Sequence, residues 1–599
     1  MGGAGCSFEG FDDMHMMLAG FGVAAVILSA IVPAQAAGKS ADARFKALYT
    51  REWTWREEQF AGEDDEDSRK PLVDHLPRID AATQEMRLEY WTSVMKELDA
   101  IPESQLSAEN QINYEVYKPQ IQTLINDQHF REYEKPVNSD SSFWSDLSSS
   151  HDKPFRTEQD YKNYIAWLGD LPRYFGEQID NMRAGLKRGF TPPQVTLKGR
   201  DLSISAVADA QGEANPFYKP FKDMPTTIPA EDQAALRAAA VKVINEAVDP
   251  SYAKLLKFFR DDYVPGAVTT LGAESFSDGK AYYRAQILEY TTLDMDPDAI
   301  HQLGLDEVAR IHAEMLDTMK LTDFKGDFPA FLAFLRSDPK FYAKTPDELL
   351  MRAAWIAKKF DGKASQYFGY LPRMRFGIIP VPAEIAPFYT SGRGGPGVYL
   401  VNTYDLPSRP LYQLTALTLH ESAPGHAFQM PIAMEHKDLP DFRQKVYISA
   451  YGEGWALYTE RLGVEMGMYE TPYDKFGMLS YQMWRACRLV VDTGIHHLGW
   501  TREQAVAYLH DNTALADHEI DTEVDRYITW PGQALSYYLG EMAIWKARHK
   551  AEQALGSKFN LRAFHDTVLA MGSVPLPVLE KQIDKFIAGG GKGPYPDME

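Results

Sequence analysis

The chain has 599 residues, 45% of them hydrophobic, enough to bury a large core. Its 84 acidic residues against 62 basic ones give a formal charge of −22. That balance excludes nucleic acid as a natural partner, because phosphate binding needs a basic surface, and it fits an acidic, soluble protein.

Leu18 to Val32 is an uncharged run rich in Ala, Val, Ile and Leu, and Ala34-Gln35-Ala36 supplies the small-x-small pattern that signal peptidases cut. Residues 1–36 therefore read as a cleavable secretory signal, directing the protein to the periplasm or the medium. The run is shorter than the roughly 20 residues a bilayer span requires, so no stable membrane insertion is expected after cleavage. Glu9, Asp12 and Asp13 precede it with no basic residue, which makes Met14, Met16 or Met17 an alternative start. Signal removal leaves Cys487 as the sole cysteine. No internal disulfide can then form, and Cys487, inside a helical-looking run, reads as a buried thiol.

From about residue 41 to 350 the pattern is helix after helix. Leu88, Trp91, Val94, Met95 and Leu98 recur at three- and four-residue spacing and form one apolar stripe. The acidic cluster Glu63 to Asp67 and the Ser-rich stretch Ser139 to Ser150 read as solvated loops. With no internal repeat and no long linker, the mature chain reads as one continuous body with an N-terminal helical lobe, 37–350, and a catalytic lobe, 351–599. Strand-like sequence appears at Phe376 to Val381 and at Val398 to Asn402. Between these runs, Ser391 to Gly397 is glycine-rich and reads as a flexible loop or flap; it lacks the Gly-Lys-Ser/Thr of a phosphate loop.

Pro410, Leu411, Leu414 and Leu417 start an apolar helix that leads into His420-Glu421-Ser422-Ala423-Pro424-Gly425-His426. Two histidines four apart on a helix can bind one zinc ion, with the intervening glutamate activating water. Here they are six apart. A regular helix would leave them about 120° apart in rotation and about 9 Å apart along the axis. Chelation therefore requires Pro424 and Gly425 to break the helix and turn His426 towards His420. Glu453 and Glu460 are candidates for a third ligand. They lie two turns apart, too far to share one ion, and the glycines flanking Glu453 favour it by letting another backbone approach. Glu460 then reads as a supporting or surface residue.

His420 to Gln429, followed by Glu453-Gly454-Trp455-Ala456-Leu457-Tyr458, resembles the bacterial family named domain of unknown function 885. The likeness runs on through Arg485 to His496, Arg526-Tyr527 and Pro531 to Ala534, and back to Gly185 to Pro193. That family is similar in layout to the helical zinc peptidases of the thimet oligopeptidase, angiotensin-converting enzyme and carboxypeptidase Taq type. The resemblance implies a mainly α, gluzincin-like fold: a two-lobed helical shell around a deep cleft, with a small β-sheet beside the active site. It also implies Zn2+ as cofactor and short peptides as substrates. Zinc would be held by His420, His426 and Glu453, with Glu421 as general base. Tyr537 resembles the oxyanion-stabilising tyrosine of the oligopeptidases, with Tyr527 and His496 as alternatives and Asp492 as a partner for His496. Rival readings are a zinc hydrolase of a non-peptide amide or ester and a non-catalytic periplasmic binding protein.

Overall fold

The computed structural model describes residues 40–62, 72–139, 141–383 and 385–596. The signal-peptide reading and the cluster Glu63 to Asp67 lie outside the described residues. The fold is mainly α, with one three-stranded sheet among the described residues. None of these helices is long and apolar enough to cross a membrane.

Helices form where apolar positions recur on one face. In Ala81–Asp99, Trp91, Val94 and Leu98 are buried, and the Asp80 side chain caps the first turn by accepting the Thr83 N–H. The apolar faces meet in three cores. One gathers residues between Leu72 and Ala267. The other two draw on both sides of residue 350. Phe45, Trp91 and Tyr117 share a core with Tyr451, Trp455 and Phe564, and Ile311 and Phe331 share one with Val490 and Leu535. Early helices are thus buried against late ones, and packing sets no seam at the lobe boundary suggested by sequence.

The elements that matter for the site begin with α1, Pro297–Met319. The sheet follows, with β1 at Gly377–Pro380, β2 at Gly392–Gly395 and β3 at Val398–Val401. Then come α2, Leu411–Glu421; α3, His426–Glu435; α4, Ser449–Glu465; α5, Pro472–His496; α6, Asp517–Thr529; and α7, Ser536–Leu555. Helix α5 runs through the middle. Every residue from Phe476 to His496 is buried, so neighbours cover it on all sides, α1 most extensively. Its polar residues must therefore find partners inside the protein.

Two stretches depart from their sequence reading. The glycine run is not only a loop: β2 pairs antiparallel with β3, which pairs parallel with β1 on its other side. Ser139 to Ser150 is not a solvated loop either. Its described residues include helical turns at Phe143–Asp146 and Leu147–Asp152, and burial of Phe143, Trp144 and Leu147 carries Ser142 and Ser150 inward.

Candidate metal centre

Helix α2 ends at Glu421, where Ser422 takes φ −99° and ψ −113°, and α3 starts at His426. The Ala423–Pro424 peptide between them is cis. Ser422 Oγ donates to the Thr418 carbonyl at 2.6 Å, and Trp455 Nε1 of α4 donates to the Pro424 carbonyl at 2.8 Å, so the break is held from both sides. The interruption replaces the unfavourable geometry of a continuous helix. The His420 and His426 rings stand 4.9 Å apart, nearly perpendicular, and both are buried.

Glu453 arrives from α4. Its Oε2 lies 3.3 Å from Nε2 of His420 and 3.3 Å from Nε2 of His426. Glu421 joins the same space: ligand atoms of His420, Glu421 and His426 fall within 4.8 Å of one another. Glu453 Oε2 and His426 Nδ1 are buried without a hydrogen bond. Oε2 is ion-paired with the two rings but has no hydrogen bond, and a cation between these donors would complete its surroundings. Two imidazoles and one carboxylate are the donor set of a catalytic zinc site, with the fourth position open. The electrostatics favour positive charge here. Burial lowers the His420 pKa, yet Glu453 and Glu460 outweigh it and push it up to about 10. Burial raises the Glu453 pKa, but His426 and His420 hold it well below the usual carboxylate range.

Glu460 grips the opposite edge of the same ring. Its Oε1 lies 2.8 Å from His420 Nδ1 and 3.4 Å from Arg485 of α5. It therefore supports the centre from behind, fixing the tautomer and orientation of His420. Helix α4 reaches this position because it nearly touches α7. A Cβ on Gly454 would stand 2.5 Å from Gly540, and a Cβ on Gly540 would stand 1.9 Å from the Ala450 carbonyl oxygen. Strand β2 closes the far side. The Gly394 N–H donates to Glu421 Oε2 at 2.6 Å, and a Cβ on Gly394 would meet the Glu421 carbonyl at 1.6 Å, so only glycine fits.

Tyr537, on α7, lies at the centre: its ring is 6.5 Å from that of His420 and nearly parallel to it. Its hydroxyl accepts from Arg526 at 3.3 Å and from Gln533 at 3.4 Å, so neither bond uses its own proton. Tyr527 accepts twice in the same way, through shorter bonds. Its hydroxyl accepts from Trp484 at 2.7 Å and from Arg488 at 2.9 Å and is fully buried among them. His496 does not join the site. Its Nδ1 accepts from the Ala273 N–H at 3.1 Å and its Nε2 donates to the Tyr527 carbonyl at 2.8 Å. It sits eleven residues beyond Arg485 on α5, about 16 Å along the axis. Asp492 does not pair with His496 either. It accepts from Tyr283 at 2.6 Å and from the Gly532 N–H at 3.1 Å.

Sequence reasoning passed over Tyr447, whose hydroxyl donates to Glu453 Oε1 at 3.1 Å. It belongs to no motif; only its closeness to the flanking Gly452 hints at it.

Among solved structures, the chain is similar to a candidate lipoprotein from Colwellia psychrerythraea, with 26% identity and a TM-score of 0.85. It is also similar to a candidate lipoprotein of unknown function from Shewanella oneidensis, with 18% identity and a TM-score of 0.64, a likeness of fold. Each match covers 92% of this chain and 100% of the other. Comparison with curated protein sequences returns no match. The model of the family described as bacterial protein of unknown function (DUF885) matches residues 58–583, and the chain belongs to that family.

Proposed function

We propose that this protein is an exported zinc metallopeptidase that hydrolyses short peptides. The observation that carries the reading is the convergence of His420, His426 and Glu453 from three helices, with Glu421 beside them. The resemblance of the His420 to Gln429 segment and the Glu453 helix to the helical zinc peptidases supports the same reaction class. The description of both similar structures as candidate lipoproteins supports export.

His420, His426 and Glu453 would hold the ion. When bound, zinc supplies Lewis acidity that polarises the scissile carbonyl and acidifies water. Glu421 takes the proton of the attacking water and delivers it to the leaving amine. The Gly394 N–H fixes that carboxylate through one oxygen and leaves the other for the proton. Tyr537 donates its uncommitted hydroxyl proton to the oxyanion that develops on the peptide carbonyl. Glu460 and Arg485 keep the His420 ring in place throughout.

The test is Glu421→Gln in the full-length protein, assayed on a panel of short peptides alongside simple amides and esters. Zinc content is expected to survive, and peptide turnover to fall by about 10²- to 10⁴-fold. Turnover of amides or esters with none of peptides would sink the peptidase reading. Unchanged turnover in the variant would remove Glu421 as the base.

A further inference from the structure

The two oxygens of Glu453 are not equivalent. Oε2 faces both imidazole Nε2 atoms at 3.3 Å, while Oε1 accepts from the Tyr447 hydroxyl at 3.1 Å. A carboxylate rotates easily about its last torsion, so unanchored it would present either oxygen, both or neither to the histidines. Tyr447 supplies the anchor from the chain entering α4. Its ring centre is 6.4 Å from that of His426, and 43% of its surface is exposed. The ring lies flat on Gly452. A Cβ there would stand 2.4 to 2.6 Å from ring atoms Cε2 and Cζ and from the hydroxyl oxygen. One of the glycines flanking Glu453 thus serves as the seat of the tyrosine that holds it, while Gly454 serves the approach of α7.

We propose that Tyr447 is a positioning residue for the metal centre, fixing Glu453 so that Oε2 is its ligand atom, with Gly452 as the seat of its ring. The inference rests on the zinc reading above and adds a residue that no motif contains. Tyr447 acts through Glu453, so its removal is read first in metal affinity and only then in turnover.

The experiment measures zinc dissociation constants by chelator competition on the full-length protein. Tyr447→Phe removes the hydroxyl. Gly452→Ala keeps the tyrosine but pushes its ring off the helix. Alanine favours a helix, and the atoms its Cβ meets are the outer end of a half-exposed side chain, so this variant folds. Each substitution is expected to weaken zinc about tenfold to a hundredfold, as loss of a residue that orients a ligand does. The double variant should be no weaker than either single one, because both act through one hydroxyl. The absorption spectrum of the cobalt-substituted protein is the second readout and should change in both variants, which a purely structural tyrosine would not cause. Unchanged zinc affinity in Tyr447→Phe, or losses that add in the double variant, overturns the assignment and leaves the metal centre standing. Wild-type protein that binds no zinc overturns the metal reading itself, and the assignment with it.

Discussion

Two clusters of buried polar side chains adjoin α5, and they use their hydrogen bonds differently. Around His496 each group named is engaged: both ring nitrogens bind backbone, Asp492 accepts from Tyr283 and Gly532, and the Tyr527 hydroxyl accepts from Trp484 and Arg488. Around His420, the atoms Glu453 Oε2, Glu460 Oε2 and His426 Nδ1 are buried with no hydrogen bond. Arg488 Nη1 is also buried and unbonded, but a cation donor cannot hold a metal; open carboxylate and imidazole atoms can, so the His496 cluster reads as architecture and the His420 cluster as a place for a cation. Histidine, carboxylate and tyrosine occur in both. Composition does not distinguish the clusters; open carboxylate and imidazole atoms do.

The sharpest way to break this contrast is to remove one histidine from each cluster. His426→Ala should cost the zinc and about 10³-fold or more in turnover. His496→Ala should keep the zinc but leave the Ala273 N–H and the Tyr527 carbonyl unpaired, destabilising the fold by about 2–5 kcal/mol in denaturant unfolding. If His496→Ala lost its metal while His426→Ala kept it, the contrast would be reversed.

The tyrosines repeat the comparison on a smaller scale. Tyr537→Phe removes a proton donor that neither Arg526 nor Gln533 uses, and kcat should fall by about 10²-fold with zinc nearly unchanged; the two longer bonds it accepts, at 3.3 and 3.4 Å, should cost less stability than those of Tyr527. Tyr527→Phe leaves Trp484 Nε1 and Arg488 Nε without their acceptor, so stability should fall by about 2–4 kcal/mol. Equal kcat losses from the two substitutions would erase the distinction.

The convergence of His420, His426 and Glu453 was legible in sequence because chain-breaking residues announce themselves. Pro424 and Gly425 between two histidines mark a turn, and glycines on both sides of Glu453 mark close approach. What escaped depends on tertiary contacts. His496 and Asp492 are four apart and look like a pair, but α5 is covered on all sides and each side chain turns to a different neighbour. The strand Gly392–Gly395 carries little β propensity; it forms because β3 offers a partner and Glu421 offers an acceptor. Tyr447 meets Glu453 only because its ring settles on Gly452.

A last expected effect concerns charge in the cluster around His496. Burial, opposed by the Tyr283 and Gly532 bonds, raises Asp492 to about 7, and burial lowers His496 to about 4. The two act in opposite directions. Between about pH 4 and 7 the folded Asp492 holds a proton that the unfolded chain releases, so its contribution to stability is full below about pH 4 and is lost as pH rises through 7. His496 contributes stability above about pH 6.5 that is lost as pH falls through 4, because the unfolded chain takes up the proton. Asp492→Asn removes the first of these and keeps an acceptor for Tyr283. The stability of wild type relative to this variant should then decline by about 1.4 kcal/mol per pH unit between about pH 4 and 7, read from paired unfolding curves in which all other titrations cancel. Parallel curves would mean that Asp492 is ionised in the fold. The hydroxyl of Tyr283 and the amide of Gly532 would then be stabilising a buried anion, and the cluster would be a charged one.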